Sequence, residues 1–129
     1  MSKTIKHTIK FKSSPKVLYD ALLNAGKHKA FTRQAATVNN KIGKTFSAYS
    51  GFISGMNLDL AKNKRIVQAW RCADFPVGHY SIVSYEFRKT GTGTTLVFTQ
   101  EAVPDKSYKH LNKGWYRSYW LPLKEKYEK

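Results

Sequence analysis

The sequence predicts an α+β fold in which a curved antiparallel sheet of about six to seven strands wraps around a long C-terminal helix, with two short helices after the first strand. Several short segments alternate apolar and polar residues with a period of two and are separated by turn residues, as antiparallel strands are. The C-terminal segment instead repeats its apolar residues at steps of three or four, as a helix does. No repeated strand–helix–strand pattern favours parallel pairing. With 129 residues, we expect a single domain spanning 1–129.

The first element is a strand over Thr4–Lys12, whose apolar face carries Ile5, His7, Ile9 and Phe11. Ser14 stands directly before Pro15, and a serine N-cap followed by a first-turn proline is typical of a helix start. We expect this helix over residues 16–24, broken by Gly26, and a second short helix over residues 27–31. The chain therefore leaves the sheet once before returning to it.

The middle of the chain predicts a run of strands joined by turns. We expect these strands at Gln34–Val38, Thr45–Tyr49, Phe52–Leu60, Arg65–Cys72, Tyr80–Arg88 and Thr94–Val103. In the third of them, Met56, Leu58 and Leu60 share one face. In the fourth, Ile66, Trp70 and Cys72 do so. The last two form a hairpin, with Val83, Tyr85 and Phe87 facing the same way on one arm and Leu96 and Phe98 on the other.

A long helix is predicted from Ser107 to the end of the chain. Its apolar stripe is made of Tyr108, Leu111, Trp115, Tyr119, Leu123 and Tyr127, which we expect to face the sheet. Gly114 precedes Trp115, and a glycine there would let the helix approach the sheet closely. Pro122 removes one helical hydrogen bond and should kink the helix near its end.

The net charge is +15, from 23 basic and 8 acidic side chains, and it is unevenly distributed. Residues 1–45 carry ten basic and one acidic side chain, and residues 106–129 carry seven and two, whereas residues 46–105 are nearly balanced. Such a field attracts an acidic protein face, nucleic acid or an anionic membrane. The alternative is that the lysines only keep the surface solvated, and the excess of lysine over arginine favours this.

Little in the sequence indicates catalysis or a bound cofactor. The four histidines are scattered and Cys72 is the single cysteine, so we expect no metal site, no catalytic residues and no cofactor. Cys72 is interpreted as a buried, inert thiol. Glu86 and Glu101 could meet as an acid–base pair on the hairpin, but we interpret them as solvent-facing. The lone cysteine, the lack of a long apolar run and the absence of a signal-peptide pattern favour a cytoplasmic protein without a membrane segment.

The order and spacing of several short motifs resemble the C-terminal domain of the activators of the 90-kDa heat-shock chaperone ATPase, within the helix-grip fold of the Bet v-like and START-type superfamily. The motifs are Ser14-Pro15 with Leu18-Tyr19, Lys29-Ala30-Phe31-Thr32-Arg33, Gly43 with Phe46-Ser47, Gly51 and Gly55, Ile66-Val67-Gln68-Ala69-Trp70-Arg71, Gly78-His79-Tyr80, Val103-Pro104 and Gly114-Trp115. The resemblance implies the fold and, as a partner, that chaperone. The eukaryotic activators carry a further N-terminal domain, which we expect to be absent here because Met1 stands just before the first strand.

Four functional hypotheses follow. The first is a non-catalytic, co-chaperone-like module that binds the chaperone through a basic surface. The second is a carrier or sensor of a small hydrophobic ligand, held between the sheet and the C-terminal helix. Its candidate binding residues are Trp70, His79, Tyr85, Phe98, Trp115 and Tyr119. The third is an enzyme of the same fold, for which His7 is the one clear candidate. The fourth, nucleic-acid binding, is supported by charge alone, because no recognition motif is present.

Overall fold

The computed structural model describes residues 2–128, which form a six-stranded antiparallel sheet, two short N-terminal helices and a long C-terminal helix. The strands lie in the order β1-β6-β5-β4-β3-β2. Their bounds are β1 Ser2–Phe11, β2 Thr45–Ala48, β3 Ile53–Ala61, β4 Arg65–Cys72, β5 Ser81–Thr90 and β6 Gly93–Pro104. The helices are α1 Pro15–Leu23, α2 Ala25–Thr32, α3 Asp105–Trp115 and α4 Leu121–Tyr127, and a π-helical turn at Tyr116–Trp120 joins the last two. The predicted helix-grip fold is confirmed.

The first N-terminal helix begins at the predicted Ser14 cap, but the second begins at Ala25, two residues before the predicted start. The Ser14 hydroxyl accepts a hydrogen bond from the Val17 N–H, as an N-cap does. Asn24 ends α1 and also caps α2, because its side-chain oxygen accepts from the Lys27 N–H at 3.0 Å. Gly26 was expected to break the helix and instead lies inside α2. An asparagine outside the helical region can serve both ends, so no glycine is needed.

Residues 34–38 do not form the predicted strand. One backbone hydrogen bond, from the Thr37 N–H to the Ser47 carbonyl at 2.8 Å, holds this segment beside β2. The return bond is made by a side chain, since the Ser47 N–H donates to the Thr37 hydroxyl at 2.8 Å. The hydroxyl replaces a ladder carbonyl, and the segment passes along the edge of the sheet without joining it.

The predicted apolar face of β3 is the outer face of the sheet. Met56 and Leu58 are exposed, whereas Ile53, Gly55 and Asn57 point into the core. Leu60 is only partly buried, beyond an irregularity in the pairing of β3 with β4 between Asn57 and Asp59. Periodicity misled here because a polar residue takes an inward position in the middle of the strand.

Asn57 can be buried because its amide is fully bonded. Its nitrogen donates to the carbonyls of Asn39 and Lys41, at 2.9 and 3.1 Å, and its oxygen accepts from the Gln68 amide at 3.0 Å. Buried amides are tolerated when their partners are supplied in this way. These bonds also fix the segment after α2 against β3.

The remaining strands follow the predicted pattern. Inward residues of β1, β4, β5 and β6 alternate with exposed or half-buried ones, and the β5–β6 hairpin pairs Tyr85 with Phe98 and Phe87 with Leu96. The C-terminal helix covers this inner face through Leu111, Trp115, Tyr119 and Leu123. Within residues 2–128, no helix is both long and apolar enough to cross a membrane.

Candidate functional site

Five of the six predicted binding residues meet in one layer of rings between the sheet and the C-terminal helix. Trp70, Tyr85 and Phe98 come from neighbouring strands, and Trp115 and Tyr119 come from the helix; their exposed fractions are 0–4%. Phe98 lies 4.4 Å from Trp115 and 5.3 Å from Tyr85, between ring centroids. Trp115 lies 5.4 Å from Trp70 and 4.8 Å from Tyr119. These are contact distances for aromatic pairs, so the rings fill the space between sheet and helix with one another.

His79 lies outside this layer. It follows the loop after β4, and its Nε2 lies 2.7 Å from the Ala102 carbonyl oxygen. Its ring stands perpendicular to that of Phe75, with centroids 5.5 Å apart, and Phe75 in turn contacts Trp70. The histidine is bonded to the backbone beside the sheet, and Phe75 separates it from the five rings.

The rings carry polar atoms that are bonded within the layer. The Trp115 indole N–H donates to the Gln100 side-chain oxygen at 2.7 Å. The Gln100 amide donates to the Ser81 hydroxyl, which donates to the Trp70 carbonyl. This chain joins the C-terminal helix to three strands. A polar network of this kind fixes one arrangement of the core, because breaking it would leave buried groups unbonded.

Trp120 belongs to the same layer and was not among the predicted residues. It is 1% exposed and stacks on Trp115 at 5.6 Å. Its indole N–H donates to Nδ1 of His7 at 2.9 Å, and Nε2 of His7 bonds to the Asn112 side-chain oxygen at 2.8 Å. The π-helical turn inserts one extra residue, which brings the adjacent Tyr119 and Trp120 to the inside together. An aromatic pair two residues before Pro122 is the one sequence signal of this.

The other titratable candidates are held in structural positions. His7 uses both ring nitrogens on Trp120 and Asn112. Cys72 is buried, and burial raises the pKa of its thiol. Glu86 lies opposite Val97, and Glu101 lies opposite Ile82, so the two carboxylates are several residues apart along the hairpin. Among residues 2–128 no group of histidine, cysteine and carboxylate side chains could hold a metal ion.

Burial also shifts the pKa values of groups around the rings. It raises the pKa of the Tyr85 and Tyr119 hydroxyls, which therefore stay protonated at neutral pH. It lowers the pKa of His28 to about 4, and Nε2 of this histidine lies 3.0 Å from the Tyr119 hydroxyl. The site is thus a neutral, hydrogen-bonded core.

Gly114 does not have the role that its position beside Trp115 suggested. A Cβ atom built on Gly114 would meet nothing within 4 Å, so this glycine does not allow a close approach of the helix to the sheet. Gly55 and Gly93 lie at close contacts instead, as a Cβ would lie 1.9 Å from the Ala69 carbonyl oxygen at Gly55 and 2.3 Å from the Phe11 carbonyl oxygen at Gly93. The pairing of β3 with β4 therefore requires a residue without a side chain at position 55, whereas the packing of the helix does not require one at position 114.

The comparison with known proteins decides the family. Residues 12–127 match the model of the family described as Activator of Hsp90 ATPase homolog 1-like protein. The chain belongs to this family. Its relatives among the activators of the 90 kDa heat shock protein ATPase include the homolog from Dictyostelium discoideum, 35% identical over 118 residues, and human homolog 1, 30% identical over 122 residues. These matches cover 91% and 95% of this chain but 31% and 36% of the relatives, so the chain spans about a third of their length.

Solved structures of similar proteins have the same fold as this chain. An HSP90 activator from Plasmodium falciparum has a TM-score of 0.87 and 26% sequence identity, and the match covers 94% of this chain and 93% of that one. The solution structure of the Aha1 dimer from Colwellia psychrerythraea has a TM-score of 0.80 at 19% identity, and covers 95% and 94%. The resemblance inferred from the sequence motifs is confirmed.

Proposed function

We propose that this chain is a non-catalytic, co-chaperone-like module that binds a chaperone of the Hsp90 type and regulates its ATPase through a basic surface. The observation that carries the proposal is the family match over residues 12–127, together with relatives that are named as activators of that ATPase. Cys72 is a single free cysteine, as is common in proteins of the reducing cytoplasm. We propose that the chain binds the chaperone in that compartment.

The surface of the described residues supports a binding role. The printed sequence carries 23 basic and 8 acidic side chains, and the ion pairs between described residues engage Lys16, Lys27, Arg65 and Arg88. Exposed lysines without such pairs lie on β1, on α2 and on α3, including Lys6, Lys10, Lys29, Lys106 and Lys109. An acidic partner would therefore meet cations that are free to pair with it, which raises the association rate and favours one orientation.

Regulation of an ATPase by such a module needs no catalytic group on the module itself. A protein that binds one conformation of the chaperone more tightly than another shifts the population toward that conformation. If the favoured conformation hydrolyses ATP faster, the rate rises. The buried, hydrogen-bonded layer of rings would serve as a rigid core behind the binding surface.

The carrier hypothesis remains a prediction that the ring packing does not favour. Trp70, Tyr85, Phe98, Trp115 and Tyr119 contact one another, and a ligand between sheet and helix would have to displace several of these contacts. Binding of a ligand would therefore cost the van der Waals contacts that the rings already make with one another.

The test is the ATPase rate of the chaperone from the same organism, titrated with the purified chain. We expect the rate to rise to a plateau as the chain saturates its partner. The chain alone with ATP is the control, and hydrolysis in that sample would point to catalysis instead. A chaperone that neither binds the chain nor changes its rate would contradict the proposal.

A further inference from the structure

A basic cleft lies at one end of the sheet, away from the layer of rings. Its walls come from the start of α1, the turn between β3 and β4, and the end of β5, and its volume is about 690 Å³. We use the name basic cleft for the lining residues Ser14, Pro15, Lys16, Lys62, Asn63, Lys64, Arg65, Glu86, Phe87, Arg88 and Lys89. Six of these side chains are cationic and one is a carboxylate.

Three of the six cations have no carboxylate partner within the described chain. Lys16 pairs with Asp20, Arg65 with Asp59 and Arg88 with Glu86, each at 2.6 Å. By contrast, none of the ion pairs between described residues involves Lys62, Lys64 or Lys89, and all three are exposed. The cleft thus presents unpaired positive charge from two different elements, the β3–β4 turn and the end of β5.

The floor of the cleft is apolar and fixed. Phe87 is 5% exposed, and its ring is held edge-on by Tyr19 with centroids 6.0 Å apart. The Phe87 N–H donates to the Lys64 carbonyl at 2.8 Å, which ties β5 to the turn that carries Lys62 and Lys64. The distance between floor and lysines is therefore set by the backbone and not by flexible side chains alone.

The arrangement selects among anionic ligands. A single carboxylate, such as that of a fatty acid, would leave most of the cations unpaired, and the open cleft would leave much of an acyl chain in water. A peptide segment can place several carboxylates on the unpaired cations of both elements and one apolar side chain on the floor. Exposed charges within about 8–10 Å of each other act together at moderate ionic strength.

We propose that the basic cleft binds an acidic segment of the partner protein, with its carboxylates against Lys62, Lys64 and Lys89 and one apolar side chain over Phe87. This inference rests on the proposed function for the identity of the partner, the chaperone. The chemistry of the cleft itself, an acidic peptide on a lysine rim, is tested without the chaperone.

The first experiment measures the binding of a fluorescein-labelled peptide, Glu-Glu-Phe-Glu-Glu, by fluorescence anisotropy. The cleft variant combines Lys62→Glu with Lys64→Glu. Its matched control combines Lys6→Glu with Lys10→Glu, which changes the charge equally on the exposed face of β1. We expect the cleft variant to bind about tenfold more weakly and the control to change less than about twofold, since the cleft variant replaces two lysine–carboxylate pairs with like charges.

Several outcomes of this experiment would overturn the inference. An equal loss in both variants would show that only the net charge attracts the peptide. Decanoate that binds the wild-type chain more tightly than the peptide, and loses that binding in the cleft variant, would assign the cleft to an anionic amphiphile. Circular dichroism checks that each variant is folded, and Lys89→Glu, on a different element, repeats the test if the double variant is not.

The second experiment repeats the chaperone ATPase titration with the same variants. We expect the cleft variant to need about tenfold more protein for half-maximal stimulation, and the β1 control to resemble the wild type. Equal stimulation by the wild type and the cleft variant would overturn the cleft inference and leave the proposed function standing. A wild-type chain without effect on the ATPase would contradict the proposed function, and the peptide measurement would still decide the chemistry of the cleft.

Discussion

Gly55 occupies an inward position of β3 where the neighbouring strand leaves no room for a side chain. A Cβ there would lie 1.9 Å from the Ala69 carbonyl oxygen and 2.9 Å from the Phe46 ring. A backbone oxygen cannot move aside as a flexible side chain can. We therefore expect Gly55→Ala to lower the free energy of unfolding by about 3 kcal/mol, as severe overpacking does, measured by urea denaturation.

Gly114 provides the matched control because the same substitution has the opposite sign there. It lies in the interior of α3, and an added Cβ would meet nothing within 4 Å. We expect Gly114→Ala to raise the free energy of unfolding by about 0.5–1 kcal/mol, since alanine loses less backbone entropy in a helix than glycine does. Equal effects of the two substitutions would contradict the assignment of the close contact to β3.

His28 is the residue whose protonation should report on the core. It is 1% exposed, its Nδ1 has no hydrogen-bond partner among the described residues, and burial lowers its pKa to about 4 from 6.5. The unfolded chain therefore takes up the proton first as the pH falls. The contribution of His28 to stability is complete above about pH 6.5 and is lost progressively as the pH falls toward 4, by about 3 kcal/mol in all.

The measurement is urea denaturation between about pH 4 and 7, in the range where the two pKa values lie, on the wild type, on His28→Gln and on His110→Gln. We expect His28→Gln to lose stability less steeply than the wild type as the pH falls, because the variant has no proton to take up at this position. His110→Gln is the control for the substitution itself, since His110 is exposed on α3. The same slope for His28→Gln and the wild type would show that the pKa of His28 is the same in the folded and the unfolded chain.

At the scale of elements, the C-terminal helix depends on a side chain from the loop after β2. Pro122 has no N–H to donate to the carbonyl of Ser118, one turn earlier. The Tyr49 hydroxyl donates to that carbonyl instead, and burial raises the pKa of Tyr49. The helix forms a π-helical turn over Tyr116–Trp120, directly before Leu121 and Pro122.

Removing this hydroxyl should leave the Ser118 carbonyl unbonded in a partly buried place. We expect Tyr49→Phe to lower the free energy of unfolding by about 1–2 kcal/mol, as the loss of a partner for a buried acceptor does. Tyr80→Phe is the control, since Tyr80 is 49% exposed, and it should change stability by less than about 0.5 kcal/mol. Thermal or urea denaturation of the two variants distinguishes them, and equal stabilities would show that water serves the carbonyl as well as Tyr49 does.

At the scale of the whole molecule, a neutral, closed core stands behind a strongly positive surface. The rings and their hydrogen bonds lie inside, and the net charge of +15 lies outside. If the proposed function holds, stimulation of the chaperone should weaken as salt is raised above about 0.1 M, because exposed charges are then screened beyond about 10 Å. Stimulation that is independent of salt would assign the contact to apolar residues, such as Met56 and Leu58 on the outer face of β3.

Features that depend on local patterns could be predicted before the structure was known. The period of β1, the Ser14 cap and the β5–β6 hairpin were all predicted, because alternation and capping are read within a few residues. The apolar stripe of the C-terminal helix was predicted in the same way, whereas the family was inferred from the order and spacing of motifs along the whole chain. Five of the six candidate residues also lie together, because the helix stripe packs on the inner faces of three neighbouring strands.

Features that depend on partners far apart in the chain became visible only in the folded structure. Asn57 can point into the core, with Met56 and Leu58 on the outer face of β3, because Asn39, Lys41 and Gln68 form hydrogen bonds with its amide. The basic cleft forms because α1, the β3–β4 turn and the end of β5 meet at one end of the sheet. Both the inward position of Asn57 and the basic cleft depend on groups that are far apart in the chain and meet only once it is folded. No local sequence pattern could therefore predict them.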